Sequence, residues 1–160
     1  GGNVTVTTGP DLVTVKTVQV DADPINNTNN PKSIPGATQR YTIRLTNQGT
    51  GTVDNNTVEI VDAIPANTML CNLAAPVTFT NGSPASGLSF TFTSLGNTTD
   101  DVDFSSTTSG NPVWNYTPVP DANGCDAAIR YIRIRPRGTM AASNASGNPY
   151  FEVQFRVQVR

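Results

Sequence analysis

The chain has 160 residues, enough for one domain with a sizeable core and too few for two independent ones. Thr, Asn, Val, Ser and Gly dominate, with 12 prolines and few helix formers, which excludes a helical bundle and reads as strands and turns. Only 14% of residues are charged and the net charge is −2, so no global field draws the chain to nucleic acid or anionic lipid, and no apolar run approaches the ~20 residues of a membrane-crossing helix.

Period-two alternation recurs along the chain, each run ending in Gly, Pro, Asn or Asp. Residues 3–8 put Val4 and Val6 on one face. Residues 12–21 carry Val13 and Val15, then Val18 and Val20, a change of phase that predicts a bulge near Lys16. A polar, proline-bearing loop follows over 23–35. Residues 37–47 alternate Tyr41, Ile43 and Leu45 with Thr42, Arg44 and Thr46, and 58–61 follows a Gly- and Asn-rich turn as a neighbouring strand. Val77 and Phe79, then Leu88, Phe90 and Phe92, flank the turn signal Asn81-Gly82-Ser83-Pro84 and read as a hairpin.

An acidic, Ser- and Thr-rich loop over 97–112 leads to a short predicted strand with Trp114 and Tyr116. Residues 127–135 then set Ile132 and Ile134 against Arg133 and Arg135. The last run alternates Phe151, Val153, Phe155, Val157 and Val159 with Glu152, Gln154, Arg156, Gln158 and Arg160. No window has helical spacing. About nine strands, with turn signals at intervals of roughly 8 to 15 residues, point to an all-β, immunoglobulin-like antiparallel β-sandwich in preference to a barrel. The expected organisation is an N-terminal β arm over 1–10 and a sandwich over 11–160.

Cys71 and Cys125 are an even count in a loop-rich chain, and one disulfide is expected, the alternative being two unrelated buried thiols. With no histidine, they do not make a zinc site. A start at Gly1 is compatible with an export signal peptide removed before it, so the expected location is extracellular or at the cell surface.

Two stretches carry a resemblance. Over 34–49, Pro35-Gly36 precedes a Tyr41-bearing strand that ends in Asn47-Gln48-Gly49; over 58–68, a strand ends in Asp62-Ala63-Ile64-Pro65-Ala66-Asn67-Thr68. Together they resemble the bacterial and archaeal surface repeat family called DUF11, in which a Pro-Gly entry leads to a Tyr-containing strand ending in Asn-x-Gly and the next strand ends in Asp-x-x-Pro-x-x-Thr. The close match covers about 35 residues, and turn chemistry accounts for part of it. The resemblance implies an immunoglobulin-like module of exported or surface proteins, without catalysis. The chain departs from the usual tandem arrays in carrying one copy and an additional β-type segment over 1–8.

The absence of histidine removes the common general base, and neither cysteine has an evident activating neighbour, so no catalytic residue and no cofactor is assigned. Asp100, Asp101 and Asp103 lie in one predicted loop with no facing acid, and Asp121, Asn123 and Asp126 do not reproduce a twelve-residue calcium loop; both read as solvated turns, with no metal assigned. Arg130, Arg133, Arg135 and Arg137 give a basic face that either keeps a sheet from sticking or receives an acidic glycan or another surface protein. Trp114 is expected in the core, the alternative being a sugar-stacking platform. Seven Asn-x-Ser/Thr sequons, at Asn3, Asn26, Asn55, Asn81, Asn97, Asn115 and Asn144, permit glycosylation without implying it.

Two functional readings follow. A β-type end that does not belong to its own sandwich can complete a neighbour's sheet, and repeated head to tail this yields an open filament, with self as the partner and Val4, Val6, Val13 and Val15 as donor-strand candidates. The alternative is a monomeric surface adhesion or glycan-binding module. Neither involves nucleic acid or membrane insertion.

Overall fold

The computed structural model describes residues 9–160. Among them eight strands and no helix form two antiparallel sheets. The larger sheet contains β1 (Leu12–Ala22), β2 (Thr38–Asn47), β8 (Tyr150–Val159) and, along the far side of β8, β4 (Thr68–Cys71) and β5 (Thr78–Asn81). The smaller sheet runs β3 (Ile60–Ala63), β7 (Tyr131–Ile134), β6 (Val102–Ser105). The chain is thus an all-β sandwich, as its composition and periodicity indicate.

The core follows from alternation. Ile43 and Leu45 of β2 share an inner face with Phe151, Val153, Phe155 and Val157 of β8. They pack against Ile60, Val102, Phe104, Ile132 and Ile134 of the smaller sheet, and Leu70, Leu73, Leu88, Ile129 and Met140 fill the remaining space. Tyr41 stacks on Phe155 with ring centroids 5.4 Å apart, and Phe79 stacks on Phe151 at 5.2 Å. Burying a side chain of this size contributes about 1.5–3 kcal/mol, so the pairing of the two ten-residue strands β2 and β8 is the fold's main apolar investment.

Several sequence expectations change. The bulge in β1 lies between Val20 and Ala22, not near Lys16, where the register with β2 is unbroken. The Val13/Val15 and Val18/Val20 pairs lie on opposite faces of one regular strand, and no residue of this strand is buried, so burial does not force a single apolar phase. The strand expected over 58–61 forms as β3 and pairs with β7 in the opposite sheet, so it is not a neighbour of β2. The hairpin over 77–92 does not form. β5 pairs with β8, the Gly82 N–H donates to the Tyr150 carbonyl and the Tyr150 N–H to Pro84, which ties the turn itself to β8. Residues 88–92 cross to the smaller sheet, where Ser89 and Arg137 exchange main-chain hydrogen bonds of 2.9 and 2.8 Å. The segment with Trp114 and Tyr116 is irregular, joined to β6 by one main-chain bond from the Tyr116 N–H to Phe104. Pro112, Pro118 and Pro120 around it cannot donate to a ladder.

Candidate assembly surface

Pro35-Gly36 delivers the chain into β2. Gly36 has φ of +88°, a conformation open to glycine, and its N–H donates to the Val159 carbonyl at 2.7 Å. At the other end of β2, Asn47 is fully buried with its amide fully engaged. Nδ2 donates to the carbonyls of Gly51 and Ala141, and Oδ1 accepts the N–H groups of Asp11 and Gly49. Asn47 therefore fixes the entrance to β1.

Because the Gln48 N–H donates to the Asp11 carbonyl while the Asn47 N–H is committed to Pro149 on the β8 side, the hydrogen-bond parity of the β1–β2 ladder is set. Val13, Val15, Thr17 and Gln19 exchange bonds with Thr46, Arg44, Thr42 and Arg40. The main-chain groups of Leu12, Thr14, Lys16 and Val18 point away from β2, and no second described strand pairs with them. The same four side chains lie on the inner face, since their β2 partners Asn47, Leu45, Ile43 and Tyr41 face the core.

The smaller sheet does not extend far enough to cover them. Leu12 and Val18 are 42% and 53% exposed, and Val15 on the outer face is 52% exposed. Only Lys16 crosses the gap: Nζ lies 3.0 Å from Asp62 Oδ1 and 2.7 Å from Oδ2 on β3, and 4.8 Å from the Tyr41 ring centroid. An edge lysine ordinarily keeps a sheet from accepting another strand, but here its charge is neutralised by an acid of its own sandwich. β1 is thus a long, partly apolar edge with a row of donors and acceptors that no described strand pairs on its outer side, the geometry that accepts an added strand.

Of the donor-strand candidates, Val13 and Val15 are held in the protomer's own sheet by β2, so they are not free for donation; Val4 and Val6 lie outside the described residues. Exposure of β1 on both faces is the part that sequence reasoning missed. Its signal was the change of valine phase.

The other candidates are engaged internally. Asp100, Asp101 and Asp103 are buried, with Asp103 inside β6. Asp103 Oδ2 accepts from Arg133 (2.8 Å) and Arg135 (3.0 Å), and Asp101 accepts from Arg137 (2.7 Å) and the Thr91 N–H. Asp100 accepts the N–H groups of Thr93 and Val102. These acids are structural acceptors and not a solvated turn, and three of the four arginines are spent on two of them. Among the described residues no group of three acidic or sulfur side chains is spaced to hold a metal ion. Trp114 is half-buried outside the core, with the Arg133 guanidinium 4.8 Å from its ring centroid.

Cys71 at the end of β4 is disulfide-bonded to Cys125. The loop that presents Cys125 is built by Asp121, whose Oδ1 accepts the N–H groups of Asn123 and Cys125, and by buried Asp126. Asp126 Oδ2 accepts the Tyr116 hydroxyl (2.6 Å) and the Val119 N–H, and this hydrogen bond to a carboxylate raises the Tyr116 pKa to about 12. No family model, curated protein or solved structure matches the chain.

Proposed function

We propose that the chain is a non-enzymatic, extracellular structural protein that self-assembles into a cell-surface filament through β-strand donation between neighbours. The observation that carries this reading is β1: an eleven-residue edge strand with exposed Leu12, Val15 and Val18 and, among the described residues, no strand on its outer side. Left bare, such an edge is an aggregation hazard, whereas in a polymer it is the joint. The Cys71–Cys125 disulfide is compatible with export, and the resemblance of 34–49 and 58–68 to the DUF11 repeats supports a surface setting. A monomeric glycan-binding module has less support, because Arg133 occupies the Trp114 ring and the nearby arginines are paired with Asp101 and Asp103.

Electron microscopy of the purified chain tests the reading. Filaments are expected from 1–160 and none from a chain beginning at Gly9, which keeps every described strand. Undiminished filaments from the shortened chain would rule out the N-terminal segment as the joint.

A further inference from the structure

We propose that the acceptor is the outer edge of β1, and that its occupant is the segment 3–8 of a second copy, with Val4 and Val6 seated on the inner face along the row that runs from Leu12 to Val18. This rests on the strand-donation reading and adds the place, the face and the partner. Three observations carry it.

The first is the match between groups. Leu12, Thr14, Lys16 and Val18 present both main-chain groups that no described strand pairs and their inner-face side chains along one line. At about 3.3 Å per residue, the six residues 3–8 cover roughly 20 Å, close to the length of that row. Their alternation sets Val4 and Val6 on one face and Asn3, Thr5 and Thr7 on the other, as a strand with one inner face needs.

The second is charge. Residues 1–8 carry no charged side chain, and the cation beside the acceptor row is already neutralised by Asp62. Seating the segment there leaves no side-chain charge unpaired.

The third is direction, which selects a second copy over the protomer's own segment. The Gly51 N–H donates to Gly9 and the Gln48 N–H to Asp11, so the chain at 9–11 still runs alongside 48–51, in line with β1 and beyond its end. Gly49 lets it pass at contact distance: a Cβ there would lie 2.3 Å from the Gly9 carbonyl oxygen. A chain that kept the direction of 9–11 would lead away from its own β1 edge. Pairing with its own β1 would require a reversal before Gly9, which pairing with the β1 of a second copy does not.

The test separates acceptor from donor. Thr14→Pro removes an N–H that faces the free edge and breaks no bond to β2, a placement that edge strands tolerate. Val18→Lys puts a charge on the inner face at an exposed site. Both full-length variants are expected to keep the wild-type circular dichroism spectrum and to form no filaments. Full-length Thr14→Pro, a donor without an acceptor, should form a 1:1 heterodimer with chain 9–160, an acceptor without a donor, by size-exclusion chromatography with light scattering. A synthetic peptide of residues 1–8 should bind chain 9–160, and Val18→Lys should weaken it about tenfold. If Thr14→Pro fails to fold, Val18→Lys and the peptide titration decide.

Wild-type filaments that persist in both variants would overturn the β1 acceptor and leave strand donation standing. Dimers of 9–160 alone would mean that β1 edges pair with each other, which overturns the N-terminal occupant. A wild-type chain that stays monomeric would sink the strand-donation reading, and the acceptor with it.

Discussion

Asp23 illustrates how single polar residues hold the loops of this sandwich. It is buried and its carboxylate accepts the N–H groups of Ile25, Asn26 and Lys32 and the Asn26 side-chain amide, closing the loop after β1 around one charge. These bonds, led by the Asn26 N–H, hold its pKa well below the usual carboxylate range. A depressed folded-state pKa contributes stability that is fully present above the unfolded value of about 3.9 and is lost as pH falls through the folded value. Asp23→Asn should therefore be less stable than wild type at pH 7, by a margin that stays constant down to about pH 4 and closes as the pH falls further. Urea unfolding of both proteins at pH 7, 4 and 2 measures it, and a margin unchanged at pH 2 would mean that the Asp23 charge is not what closes the loop.

At the scale of elements, the turn after β2 does more than reverse the chain. Asn47 and Gly49 together hold 9–11 against 48–51, Asn47 by its four amide bonds and Gly49 by leaving room for the Gly9 and Asp11 main chain. Gly49→Ala brings a methyl group against backbone that cannot rotate aside, and a loss of about 2 kcal/mol is expected. Hydrogen exchange should locate the damage, with the Gln48 and Gly51 amides losing protection while the β2–β8 ladder keeps it. The sequence showed the motif but not its target, because Asn-x-Gly states a turn chemistry and not what the turn packs against. β2 and β8 were legible because one face is buried over most of β8 and over the second half of β2, so Ile43, Leu45, Phe151, Val153, Phe155 and Val157 had to alternate. β1 was legible as a strand but not as an uncovered edge, since its valines change face and nothing local records where the smaller sheet ends. Asp100 and Asp101 read as solvated for a related reason: their partners Thr93 and Arg137 come from segments brought together only by the fold.

At the scale of the molecule, the two long edges of the larger sheet differ in kind. β1 lies at one edge with no described strand outside it, while the other edge of β8 is shared by β4 and β5, four residues each. Between Cys71 and Cys125 the chain contains only β5 and β6 as regular structure, so most of that stretch has few ladder bonds of its own. Cross-linking residues separated by 54 positions contributes about 4 kcal/mol in the chain-entropy model. Replacing both cysteines by serine should lower the melting temperature by roughly 10 °C for a chain of this size. The disulfide sits on the β4 side, with β8 and β2 between it and β1, so its loss should leave the proposed joint intact. The double variant is accordingly expected to form filaments as the wild type does at any temperature where it is folded. Filaments lost while circular dichroism still reports a folded chain would mean that the β4 side also takes part in the subunit contact.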